Sequence, residues 1–140
     1  VQALTIGYRV PRDVLDLANR LLPTIAPDLP LASSLRHVVG ALSFSPDVAT
    51  AVDRLRGKGS VAIVVPGPMA VDDVPDAVPL GDDGLAAPIT IVLAADVKGL
   101  EFDHVVLVDP DRLPLRMLYV AMTRAVTSLT IVGVLPDVLL

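Results

Sequence analysis

The sequence predicts a single three-layer α/β domain, a mainly parallel sheet flanked by helices. Three observations predict it. Apolar runs at Ala62–Val65, Ile89–Ala95, Val105–Val108 and Leu129–Val134 are continuous rather than alternating, and rich in Val and Ile. A strand that is apolar at every position is buried on both faces, which is the condition inside a parallel sheet. Segments of helical periodicity alternate with these runs, and such alternation builds layered sheets with right-handed crossovers. Finally, 140 residues at 53% hydrophobic composition, with a mean hydropathy of +0.66, suit one compact core.

The elements follow in chain order. Leu4–Arg9 reads as a strand or extended segment. From Pro11 to Leu22, a proline suited to a first helical turn precedes apolar residues at Val14, Leu17, Ala18, Leu21 and Leu22, a stripe that would dock on a sheet. A second helix is expected over Pro46–Arg56, with Ser45 as N-cap and Gly57 as stop, and a third over Leu115–Ala125. Leu22–Pro30, Pro66–Pro79 and Gly81–Pro88 hold most of the 13 prolines and read as connections without chemistry. No internal repeat or low-complexity tract is present.

Composition narrows the function classes. With no cysteine and only His37 and His104 as histidines, a disulfide framework and a thiolate metal site are excluded, and no metal site is expected. The apolar runs are far shorter than the ~20 residues of a membrane span, and no basic segment precedes an apolar stretch at the start, so neither membrane nor export is expected. A cytoplasmic location is the simplest expectation. Eleven basic against 16 acidic residues give a net charge of −5, the opposite of a broad phosphate-binding face. Contact with nucleic acid would have to be local.

Four segments carry polar groups in patterns that bear on chemistry. Arg56-Gly57-Lys58-Gly59-Ser60 superficially resembles a phosphate loop, but that loop needs G-x-x-x-x-G-K-[ST] between a strand and a helix. Here Val52 stands at the first glycine position, Gly59 follows Lys58, and the order is helix then strand. A helix-terminating turn is expected instead. Lys98-Gly99-Leu100-Glu101-Phe102-Asp103 falls between two buried strands, as a loop or tight turn at the sheet edge. It is either a solvated charged turn or a ligand site, where Gly99 admits a close backbone approach, Lys98 supplies a cation and Glu101 accepts from a hydroxyl. In Leu118–Ala125, Arg124 lies near the end of an apolar helix, where a guanidinium either caps the C-terminus or reaches an anion. Leu118, Met122 and Ala125 read as core and Tyr119 as packing. Tyr8 and Arg9, just before the first helix, pair a ring that can stack on a base with a guanidinium that can reach a phosphate; a rim tyrosine and a surface arginine are the alternative.

In this order the segments resemble motifs IV (near 4–11), V (near 89–103) and VI (near 118–125) of the UvrD/Rep/PcrA class of superfamily 1 helicases. Lys98–Asp103 is the K-G-L-E-F-D of motif V, Leu118–Ala125 the L-Y-V-A-x-T-R-A of motif VI, and Leu4–Pro11 resembles L-x-x-N-Y-R-S-x. The resemblance implies a second RecA-like (P-loop NTPase-like) motor domain over 1–140, completing an ATP site against a first RecA-like domain that carries the Walker A and B elements absent here. It implies that Tyr8 stacks on adenine, that Arg9 and Arg124 act catalytically on the γ-phosphate, and that Glu101 bonds the ribose, with Gly99 in the ATP site and Lys98 and Thr123 in support. ATP with Mg2+ is the implied cofactor, the metal ligands coming from the first domain. The isolated domain is expected to be inactive for lack of a Walker A loop.

The departures from that pattern are specific. Gly7 and Val10 replace the usual Asn and Ser of motif IV, and Leu93 and Ala95 occupy the positions of a T-x-H used on the nucleic-acid strand. Arg9 and Lys98 are 89 positions apart and Lys98 and Arg124 are 26 apart, too compact for a large accessory insertion. These features look more like the HelD-like branch, whose members act on RNA polymerase, than like a DNA helicase. A RecA-like interaction module that neither binds nor hydrolyses ATP is the alternative, against which the joint presence of Tyr8, Arg9, Glu101 and Arg124 speaks.

Overall fold

A computed structural model describes residues 10–28, 38–69, 71–80 and 87–139. Its centre is a six-stranded parallel sheet: β1 Leu42–Ser45, β2 Val61–Val65, β3 Val78–Pro79, β4 Ile89–Leu93, β5 Phe102–Val108 and β6 Ala125–Val132, in the order β1-β6-β5-β2-β4-β3. The helices are α1 Arg12–Asn19, α2 Leu22–Ile25, α3 Val48–Leu55 and α4 Leu115–Met122. Short 3-10 turns cover Ala94–Asp96, Pro110–Arg112 and Asp137–Leu139.

Side-chain alternation divides the core between the two faces. On one face Ala62, Val64, Val92, Val105, Leu107, Leu129 and Ile131 pack beneath α1 and α4. On the other Val61, Ile63, Val65, Val106, Val108 and Val132 pack beneath Ala51 and Val52 of α3. Every residue of β2 is buried, as expected of a central strand covered on both sides. The three-layer parallel architecture predicted from the sequence is therefore the one observed.

Several boundaries differ, each for a physical reason. The helix expected over Pro11–Leu22 stops at Asn19, because Pro23 has no N–H to donate to that carbonyl; 3-10 bonds from Arg20 to Leu17 and from Leu21 to Ala18 intervene, and Leu22–Ile25 forms its own turn. The cap of α3 is Asp47, not Ser45: an Asp47 carboxylate oxygen accepts from the Thr50 N–H at 2.7 Å. Ser45 instead ends β1 and donates its hydroxyl to the Asp47 carbonyl. β5 and β6 begin earlier than their apolar runs, at Phe102 and Ala125, so α4 ends at Met122 rather than at Ala125. β4 ends at Leu93 and β6 at Val132, leaving Val134 63% exposed. Two strands were not expected, β1 and the two-residue β3 at the end of the Pro66–Pro79 connection.

Among the described residues no helix is long and apolar enough to cross a membrane.

Candidate functional site

At the amino edge of the sheet, where β2, β5 and β6 begin, polar side chains bond to one another. Asp103 and His104, the second and third residues of β5, follow an apolar Phe102 that is buried. One Asp103 carboxylate oxygen accepts from the Ser60 N–H at 2.8 Å and from its hydroxyl at 3.2 Å, and the Asp103 N–H donates to that hydroxyl at 3.0 Å. His104 is buried, with Nδ1 2.6 Å from the Ser128 hydroxyl and Nε2 3.1 Å from the Lys58 carbonyl. A carbonyl only accepts, so Nε2 carries a proton. Side chains thus tie the starts of three neighbouring strands together, and the turn Arg56–Ser60 serves this lock rather than a phosphate. Gly57 has a positive φ of 76° just past α3, the stop the sequence predicts.

Against this edge sit two of the expected site residues. Register pairs Phe102 with Ala125, and the Phe102 N–H donates to the Arg124 carbonyl at 3.1 Å. Glu101 and Arg124 are therefore the residues that immediately precede adjacent parallel strands, delivered to one place by the sheet itself. Glu101 is exposed and Arg124 half-buried.

Arg124 lies beyond α4, and its side chain turns back over the helix end. Nε donates to the Val120 carbonyl at 3.0 Å and Nη2 to the Thr123 hydroxyl at 3.2 Å. Thr123 is buried and donates in turn to the Tyr119 and Val120 carbonyls at 3.0 and 3.1 Å. The guanidinium thus caps α4, the first of the two roles open to it from sequence, and a cation there also meets the negative end of the helix dipole. These two bonds use two of the five N–H donors of the fork. Tyr119 is half-buried against the core; burial raises its phenol above the ordinary tyrosine value and the nearby Arg124 charge opposes that rise.

Lys98 and Gly99 form the turn ahead of Glu101, closed by a Leu100 N–H to Val97 carbonyl bond at 3.0 Å. Gly99 adopts φ +83°, and a Cβ built there would meet nothing within 4 Å. The backbone conformation, rather than space, calls for glycine. Lys98 lines a separate groove of about 260 Å³ between the Ala94–Asp96 turn and α4, with Ala95, Arg116, Met117 and Val120. Arg116 was not singled out from sequence; it is a second cation beside Lys98. Ala95 is exposed and lines that groove, whereas Leu93, two residues earlier at the carboxyl end of β4, lines a different hollow. Tyr8, Arg9 and His37 lie outside the described residues. Among the described residues no group of three or more His, Cys, Asp or Glu side chains is placed to hold a metal ion.

Residues 89–132, the span holding Lys98–Asp103 and Leu118–Ala125, match the UvrD-like helicase C-terminal domain family. Among solved structures the chain is similar to the C-terminal domain of a possible DNA helicase from Lactobacillus plantarum WCFS1. The two share 19% identity over 94% of this chain and 91% of that one, with a TM-score of 0.61. That likeness shows the fold, a RecA-like α/β domain. No curated protein matches the chain.

Proposed function

We propose that this domain is the second motor domain of an ATP-dependent superfamily 1 helicase-like protein and that its amino edge is half of an ATP site. One observation carries the reading: the sheet register sets Glu101 and Arg124 side by side at one edge, within the span that matches the helicase family. Residues that carry a cation and a hydrogen-bond acceptor, at the starts of neighbouring strands, are those needed for a phosphate and a ribose hydroxyl. The donor set fits the nucleotide. The α4 cap holds the guanidinium at the edge while leaving N–H donors for an anion. Bound ATP would supply the phosphoryl group; this chain contributes orientation and positive charge where charge develops, the arginine-finger role.

In this proposal Tyr8 and Arg9 complete the set from the segment before α1, Lys98 and Thr123 support it, and the first motor domain provides the P-loop and the carboxylates that hold Mg2+. Apolar Leu93 and Ala95 at the expected strand-contact positions, with the net charge of −5, favour a motor that remodels RNA polymerase in the HelD-like manner over a DNA unwinding enzyme.

The test uses the full-length parent protein. Arg124→Ala is expected to lower ATP turnover by on the order of 10³-fold while leaving nucleotide binding largely intact; unchanged turnover refutes the half-site. The isolated domain should show no ATPase activity. Stimulation of the parent's turnover by RNA polymerase supports the polymerase reading, and strong stimulation by single-stranded DNA alone overturns it.

A further inference from the structure

The opposite, carboxyl edge of the sheet holds a second site. Chain direction changes there between β5 and β2: β5 is followed by α4 and β6 on one side, while β2 is followed by β3 and β4 on the other. Such a switch leaves a crevice at the carboxyl ends of the two strands, the usual ligand position of an open parallel sheet. Two adjoining hollows occupy it, of about 220 Å³ and about 380 Å³. Val48 at the start of α3 and Val108 at the end of β5 wall the first; Val65, Ile91 and Leu93 on β2 and β4 wall the second. Met69 belongs to both and is 43% exposed.

The rim has one sign of charge. Asp72 and Asp73 edge the first hollow, Asp96 edges the second, and among the described residues no Lys, Arg or His lines either. All three aspartates are exposed. The connection after β2 is anchored where it turns back: Val74 is buried in the core beneath α3, and the Arg56 guanidinium holds Asp76 through two bonds of 2.6 and 2.9 Å. Val74 and Asp76 thus tie the connection to the core and to the end of α3 just beyond the residues that line the crevice.

We propose that this crevice docks a basic segment of a partner protein, which seats an apolar side chain on Met69 and sets Lys or Arg against Asp72, Asp73 and Asp96. The apolar floor supplies burial, and the rim selects for positive charge and repels nucleic acid. This site lies at the other end of the strands from Glu101 and Arg124 and does not depend on the ATP reading.

The test measures fluorescence anisotropy of a labelled twelve-residue Lys/Leu peptide with the 140-residue chain. Saturable binding that weakens in high salt is expected. Replacing Asp72, Asp73 and Asp96 together by Asn should weaken it about tenfold, the loss of three screened ion pairs, and Met69→Ser should weaken it in low and high salt alike. A control with Asp13, Asp16 and Asp137 changed to Asn carries the same net charge and should bind like the parent chain. Absent binding, equal weakening in the control, or self-association of the chain that displaces the peptide would each overturn the proposal.

Discussion

At the amino ends of β2, β5 and β6 the sheet closes with polar side chains bonded to one another, whereas at the carboxyl ends of β2, β4 and β5 it opens into an apolar crevice rimmed by aspartates. Both edges use aspartates, but in opposite ways. Asp103 accepts from the Ser60 N–H and hydroxyl and so stitches one strand start to another. Asp72, Asp73 and Asp96 stand exposed around a hollow. The same residue type is structural where its partners are donors of a neighbouring strand, and available for recognition where the floor beside it is apolar. It also separates two tasks on one sheet. Positive charge is set where phosphate is expected, and negative charge where a basic partner is expected.

The largest expected effect would break this separation if it failed. In the parent protein, Arg124→Ala should reduce ATP turnover by on the order of 10³-fold, while the Asp72, Asp73 and Asp96 to Asn triple variant should leave basal turnover unchanged. Steady-state ATPase assays of the two variants decide the point. Comparable losses in both would mean that the edges are not independent.

A second pair of variants sharpens the contrast in stability. Asp103→Ala removes the partner of the Ser60 N–H, and a buried or half-buried donor left without a partner costs about 1–3 kcal/mol. His104→Leu strands both the Ser128 hydroxyl and the Lys58 carbonyl, and should cost at least as much. Exposed rim substitutions such as Asp73→Asn should stay within about 0.5 kcal/mol. Urea denaturation of the domain, comparing midpoints at constant slope, checks all three, and a rim variant as damaging as Asp103→Ala would show the crevice to be a structural feature.

How much of this was legible in the sequence follows from the same distinction. β2 and β4 could be read directly, because burial on both faces leaves an uninterrupted apolar run. The starts of β5 and β6 could not, because Asp103, His104 and Ser128 look like turn residues until their partners on neighbouring strands are known. β1 was missed for a related reason: as an edge strand it carries Ser43, which meets the Thr130 hydroxyl at 3.1 Å, and Phe44, which is 57% exposed. Arg124 was legible as a guanidinium with two roles, but its alignment with Glu101 required the register of β5 on β6. The acidic crevice gave no sequence signal, since its wall comes from carboxyl ends of strands that are distant in the chain.

The smallest expected effect tests whether the Arg124 cap is held in solution. Burial raises the Tyr119 phenol above the ordinary value of 10.0, and the Arg124 charge lowers it. A raised folded value means that the folded chain keeps its proton where the unfolded chain has lost it. This contribution to stability is therefore complete below pH 10 and declines as pH rises from there through the folded value. Tyr119→Phe should flatten that alkaline decline. Because the chain has two tyrosines and no tryptophan, the difference in ultraviolet titration between the parent chain and Tyr119→Phe isolates this phenol. In Arg124→Ala the cap and its charge are both gone, so the Tyr119 transition should move further upward, since desolvation is then unopposed. A downward move would mean that the phenol had become solvated, and that the Arg124 side chain covers Tyr119 as well as capping α4.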